Sequence, residues 1–146
     1  MIILDTNVIS ELMRAKPEPV VVDWFRIRSL LEMATTTINL AEIRFGLARL
    51  PFGRRRRDLE VTFNSLAARG FANRVFDFDA SAADVYGDLA VECERAGRRL
   101  EGFDGLIAAI AKSRGLPIAT RNTADFEGIG VSEIPATCRG RKNARW

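Results

Sequence analysis

Asp5, Glu42, Asp104, Asn122 and Asp125 are the side chains in this sequence whose types and spacing could do chemistry. Four are acids and one is an amide, so all of them bind through oxygen. Two carboxylates about 4 Å apart repel by roughly 4 kcal/mol at an effective dielectric near 20, so a cluster of them has to take up protons or bind cations. Oxygen ligands without His or Cys favour Mg²⁺ or Mn²⁺ over zinc or copper. Such an ion could ionise water at neutral pH and neutralise a phosphoryl transition state. Each residue also has a plain structural use. Asp5 can start a helix, Glu42 can partner an Asn39 N-cap, and Asp104 can cap a helix or favour its dipole, as Asp125 can a turn.

Carboxylates matter more here because the 146-residue chain contains no histidine. That removes Ser-His-Asp and Cys-His catalysis, imidazole bases and every zinc site that needs a His ligand. Neither G-x-x-x-x-G-K-[ST] nor G-x-G-x-x-G occurs, so the common phosphate-cradling loops are missing as well.

The elements that would hold these residues follow from the apolar pattern. Strand signals fall at Ile2–Leu4, Ala34–Ile38, Val75–Phe78, Pro117–Thr120 and Val131–Ile134. Helical spacing fills the gaps over Asn7–Arg14, Pro19–Leu31, a segment from Asn39 stopped by Pro51, Arg55–Ala68, Ser81–Ala96 and Asp104–Arg114. Strands alternating with helices predict a mostly parallel sheet covered on both faces, an α/β sandwich. Sites in such sheets form beyond the carboxyl ends of the strands. Asp5 follows the first strand, Glu42 lies in the helix after the second, Asp104 opens a helix before the fourth, and Asn122 and Asp125 follow the fourth.

Length and a 47% hydrophobic fraction fit one domain with one sizeable core. The apolar runs are too short to cross a bilayer and no signal-peptide pattern heads the chain, so a soluble cytoplasmic protein without membrane association is expected. Cys93 and Cys138 form no C-x-x-C pair and are expected to be plain thiols. The net charge of +3 is concentrated in patches. One is the run Arg54 to Arg57; the other is the tail, with Arg139, Arg141, Lys142 and Arg145 against no acid. Either is a solvated surface or an attraction for a nucleic acid backbone.

ILDTNVISEL at the start, NLAEIRFGL around Glu42 and FDGLIAAIAKSRGLPIATRNTADF from Phe103 together resemble the PIN-domain ribonuclease toxins of the VapC type, near their plasmid-stability and FitB-like branch. The resemblance implies a PIN-like three-layer α/β/α fold over residues 1–136, followed by a basic tail over 137–146. It implies a Mg²⁺-dependent endoribonuclease, with Mn²⁺ as a substitute, that forms a toxin homodimer or a larger toxin–antitoxin assembly and is held inactive by a VapB-type antitoxin. Carried over by motif, Asp5 and Asp104 are the principal metal ligands and Glu42 is the third acid, holding metal or positioning water. Asn122 and Asp125 are secondary, because some relatives carry Asp where this chain has Asn122. Arg121, Arg139, Arg141 and Lys142 are the expected RNA contacts. Thr6 and Thr120 flank the site and can orient ligands or finish local hydrogen bonds, and Gly105 can admit substrate or ease the start of its helix.

Rival chemistries fit less well. LDTNV is one residue from the D-x-D-x-[TV] motif of haloacid-dehalogenase-type phosphotransferases, but Asn7 replaces the second Asp. A receiver domain needs a lysine after a late strand, and the only lysines are Lys16, Lys112 and Lys142. The remaining alternatives are a non-catalytic PIN-like module that binds RNA or protein, which loss of Asp5, Glu42 or Asp104 would have marked, and a DNA-directed nuclease, since phosphate contacts alone do not separate RNA from DNA.

Overall fold

A run of Ile2, Ile3 and Leu4 suits a strand buried on both faces, and a computed structural model of the chain places it as β1 (Ile2–Leu4) at the centre of a sheet. The structure describes residues 1–97, 100, 102–123 and 126, together with the backbone of 133–135. β2 (Met33–Thr36), β3 (Val75–Phe76), β4 (Ile118–Thr120) and β5 (Glu133–Pro135) complete five parallel strands in the order β3-β2-β1-β4-β5. The chain winds outward from β1 to β3, then crosses back to lay β4 on the other side of β1. The strand order therefore reverses between β1 and β4, where the loops diverge and leave a crevice.

Alternation along the strands sends Ile3, Ala34 and Ile118 to one face of the sheet and Leu4, Met33 and Ala119 to the other. The first face is covered by α5 (Ala80–Arg95) and α6 (Gly102–Ser113), which bury Leu89, Ile107 and Ile110. The second is covered by α1 (Thr6–Leu12), α2 (Pro19–Arg26), α3 (Thr37–Ala48) and α4 (Arg54–Ser65), through Val8, Ile9, Val21, Ile43, Leu47 and Phe63. The result is the expected three-layer α/β/α sandwich. Among the described residues no helix is long and apolar enough to cross a membrane, and Cys93 is a buried free thiol. Cys138, Asp125 and the tail residues Arg139, Arg141, Lys142 and Arg145 lie outside the described residues.

Several boundaries differ from the sequence reading, each for a local reason. The helix from Pro19 stops at Arg26 instead of Leu31, because Ser29 and Glu32 form a capping box around a separate 3₁₀ turn, Leu30–Glu32. β2 ends at Thr36, which caps α3, so Thr37 and Ile38 are helical. α5 starts at Ala80, one residue before Ser81, because Asp79 caps it by accepting from the Ala82 N–H at 3.0 Å. Gly105 is buried, and a Cβ there would lie 2.7 Å from Leu100 Cγ and 3.2 Å from Tyr86 Cε2. Its role is close packing of α6 against α5 and the chain before it.

Candidate active site

Asp5 leaves β1 at the point where the strand order reverses. Its N–H still donates to Ala119 of β4, at 2.9 Å, while its carbonyl already accepts from Val8 and Ile9 of α1. The residue thus ends the strand and caps the helix, and its side chain is fixed by both. Oδ1 accepts from the Thr6 N–H at 2.7 Å; Oδ2 accepts from Asn7 Nδ2 at 2.6 Å and from Thr120 Oγ1 at 2.7 Å. Asp5 is 4% exposed. Burial first, then the carboxylates of Asp104 and Glu42, push its pKa up to about 7, against the Thr120 hydroxyl and Thr6 N–H, which favour the charged form.

Glu42 comes to the same place from α3. The helix begins with a reciprocal cap in which Thr36 Oγ1 accepts from the Asn39 N–H and Asn39 Oδ1 accepts from the Thr36 N–H. Asn39 is therefore the third helical residue and not the N-cap, and Glu42 is free of capping duty one turn further on. Its Oε2 accepts from Thr6 Oγ1 at 2.7 Å, and Thr6 Oγ1 in turn accepts from Asn39 Nδ2 at 3.0 Å. Both sequence-flagged threonines consequently act by hydrogen bonding the acids: Thr6 holds Glu42 and Thr120 holds Asp5.

Asp104 lies in the first turn of α6, half-buried, close enough to Asp5 for its charge to be felt. Asn122 follows β4, and its N–H donates to Thr120 Oγ1 at 3.0 Å. Arg121, between them, is turned inward. Its guanidinium donates to Glu11 Oε2 at 2.6 Å and its side chain is 15% exposed. Burial alone would raise the Glu11 carboxyl, but the Glu18 N–H and the Arg14 and Arg121 guanidinium groups outweigh it and hold the carboxyl below its ordinary range. Sequence reading missed Asn7, Asn39 and Glu11. The signal for Asn7 was its place two residues after Asp5; Glu11 is one helical turn beyond Asn7, and nothing in its neighbours marks it as buried.

Asp5, Glu42 and Asp104 are thus brought together around the crevice from β1, α3 and α6. Among the described residues no three of His, Cys, Asp and Glu close into a ready-made metal cage. The donor set nevertheless suits a hard cation that keeps much of its water shell and takes one or two carboxylates directly, as Mg²⁺ does. A carboxyl raised to about 7 by burial first, with Asp104 and Glu42 adding to the rise, is a site short of positive charge.

Residues 2–131 match the PIN domain family. The chain is a PIN domain. It is 39% identical over 134 residues to the VapC ribonuclease Y4jK of Sinorhizobium fredii, covering 92% of this chain and 96% of that protein. Over 132 residues it is 36% identical to toxin FitB of Neisseria gonorrhoeae, covering 90% and 95% of the two chains. The solved structure of FitAB bound to IR36 DNA fragment contains a chain that superposes on this PIN domain with a TM-score of 0.86 at 34% identity, covering 93% of this chain and 95% of that one. In this PIN domain Glu42 and Asp104 lie close enough to Asp5, at the carboxyl end of β1, for their charges to act on its carboxyl.

Proposed function

We propose that this PIN domain is the toxin of a type II toxin–antitoxin pair, a cytoplasmic metal-dependent endoribonuclease that hydrolyses RNA phosphodiester bonds. The observation that carries the reading is the buried Asp5 carboxyl at the strand-order reversal, raised to about 7 by burial and by Asp104 and Glu42. Kinship to a VapC ribonuclease and to toxin FitB supports RNA as the substrate and an antitoxin of the VapB or FitA kind as the partner. The active form is a homodimer, built from a PIN domain over residues 1–136 with residues 137–146 as a basic tail.

Asp5 and Asp104 would hold the metal, Mg²⁺ with Mn²⁺ as a substitute; Glu42 completes the site or orients the attacking water, and Asn122 and Asp125 are lesser donors. A divalent ion there supplies ionisation of water at neutral pH and neutralises charge on the phosphoryl oxygens. The chain's own contribution is rigidity. Thr120, Asn7 and the Thr6 N–H fix both oxygens of Asp5, and the Thr6 hydroxyl fixes Glu42, so little reorganisation is left for the reaction step.

The test is cleavage of a labelled total RNA pool by the purified protein with Mg²⁺, with EDTA, and by the Asp104→Asn variant. Cleavage with Mg²⁺ that disappears under the other two conditions is the expected result, and the fragments identify the target. Cleavage that survives EDTA or the substitution would overturn the metal-site assignment. A folded protein that cuts no RNA would return weight to a binding module.

A further inference from the structure

Arg121 is gripped twice by one helix. Its N–H donates to Asn7 Oδ1 at 2.9 Å and its guanidinium to Glu11 Oε2 at 2.6 Å. Asn7 and Glu11 are four residues apart on α1 and so share a face of the helix, one turn apart. Glu11, whose side chain is 1% exposed, also accepts from Arg14 Nη1 at 3.1 Å and from the Glu18 N–H at 2.9 Å, just before α2 begins. One buried carboxylate therefore joins α1, the start of α2 and the exit of β4. That exit is the stretch Thr120–Asn122, whose Thr120 hydroxyl donates to Asp5. The same Asn7 that receives the Arg121 N–H donates its amide to Asp5 and to Thr120.

From this geometry we propose that the Glu11–Arg121 ion pair is a positioning clamp. It locks the β4 exit against α1, so that Asn7 and Thr120 hold the Asp5 carboxylate in one orientation. The inference rests on the ribonuclease reading and adds two residues to it that touch no reacting atom. A buried ion pair is a poor source of net stability, because its desolvation offsets much of its attraction and apolar replacements are often as stable. What it supplies is a single geometry. Among the described residues Arg121 Nε is buried without a hydrogen-bond partner, so the guanidinium sits where Glu11 draws it at the expense of a satisfied donor. That is the cost expected of a group fixed for its position.

The experiment uses the full chain and a labelled RNA that the wild type cuts. It measures the single-turnover cleavage rate, RNA affinity in EDTA over a range of salt, and exchange of the residue-121 amide in the metal-free protein. Arg121→Met should slow cleavage by about ten- to a hundredfold while RNA affinity changes by less than about twofold, as for other groups that orient a ligand indirectly. Its 121 amide should exchange faster, and Arg121→Lys, which keeps the charge but loses the planar fork, should recover part of the rate. If Arg121→Met does not fold, Glu11→Leu with Arg121→Leu, which leaves no buried unpaired charge, carries the same comparison and should fold yet cleave slowly. A rate equal to wild type overturns the clamp. So does weakened binding with a flattened salt dependence, which would make Arg121 a phosphate contact. A wild type that cuts no RNA defeats the ribonuclease reading alone, and amide exchange still decides whether Glu11 holds the β4 exit.

Discussion

Asp5 illustrates, at the scale of one residue, how a buried carboxyl among other acids works against the fold that carries it. Its carboxyl ordinarily titrates at 3.8 and in the folded chain at about 7. Between those values the native state keeps a proton that the unfolded state has lost, so stability falls as pH rises from about 4 to 7. Above pH 7 the penalty is complete, at most roughly 4 kcal/mol for a gap of that size. Asp5→Asn should therefore raise the melting temperature of the metal-free protein at pH 8, with the advantage vanishing toward pH 4, while metal-dependent cleavage is lost. Thermal unfolding in a chelator across that pH range measures it. A wild type more stable than the variant at pH 8 would show that the hydrogen bonds from Thr6, Asn7 and Thr120 outweigh burial. Adding Mg²⁺ should stabilise the wild type and leave the variant unchanged, since only a folded site with its acids intact binds the ion.

At the scale of elements, the site depends on where α3 starts, and a single amide decides that. Asn39 closes the cap with Thr36, donates to Thr6 Oγ1, and reaches Asp5 Oδ1 at 3.5 Å. Asn39→Ala removes the reciprocal cap and strands buried partners, which together cost about 1–3 kcal/mol. Chemical denaturation should show that loss together with a reduced cleavage rate, because Thr6 no longer has a fixed donor and releases Glu42; a stability loss with an unchanged rate would separate the cap from the chemistry. This cap also marks how far the sequence was legible. The parallel sandwich could be read from alternating apolar runs, and Asp5, Glu42 and Asp104 could be placed at one edge because each follows or opens an element. The start of α3 could not, since Thr36, Thr37 and Ile38 all favour strands by β-branching and only the cap to Asn39 turns the last two into helix. The pairing of Arg121 was illegible for a similar reason. An arginine after a strand near acids looks like an RNA contact, and only the fold brings the distant Glu11 to within 2.6 Å.

For the whole molecule, the question is which basic groups can attract a polyanion. Seven of the sixteen lysines and arginines among the described residues are already paired with an acid: Arg14 and Arg121 with Glu11, Arg26 with Asp23, Arg54 with Asp58, Arg56 with Glu60, Lys112 with Glu92 and Arg114 with Asp79. Arg56 also packs over the exposed Phe52 ring, 4.5 Å from its centroid. Within the arginine run, Arg55 and Arg57 are exposed and have no acidic partner among the described residues. The chain's net charge of +3 is smaller than the four positive charges of the tail, Arg139, Arg141, Lys142 and Arg145, so we predict that long-range attraction for RNA falls to that tail. Truncation after Cys138 should weaken RNA binding most at low salt. It should also reduce the slope of log affinity against log salt by up to about 3, the value for four phosphate contacts on a single strand. Cleavage at saturating RNA should be unchanged, because the tail contributes to encounter and not to the Asp5 site. Binding titrations at several salt concentrations, with single-turnover cleavage at saturation, measure both. An unchanged slope would pass the steering role to Arg55 and Arg57, whose joint reversal to Glu would then produce the loss that truncation did not.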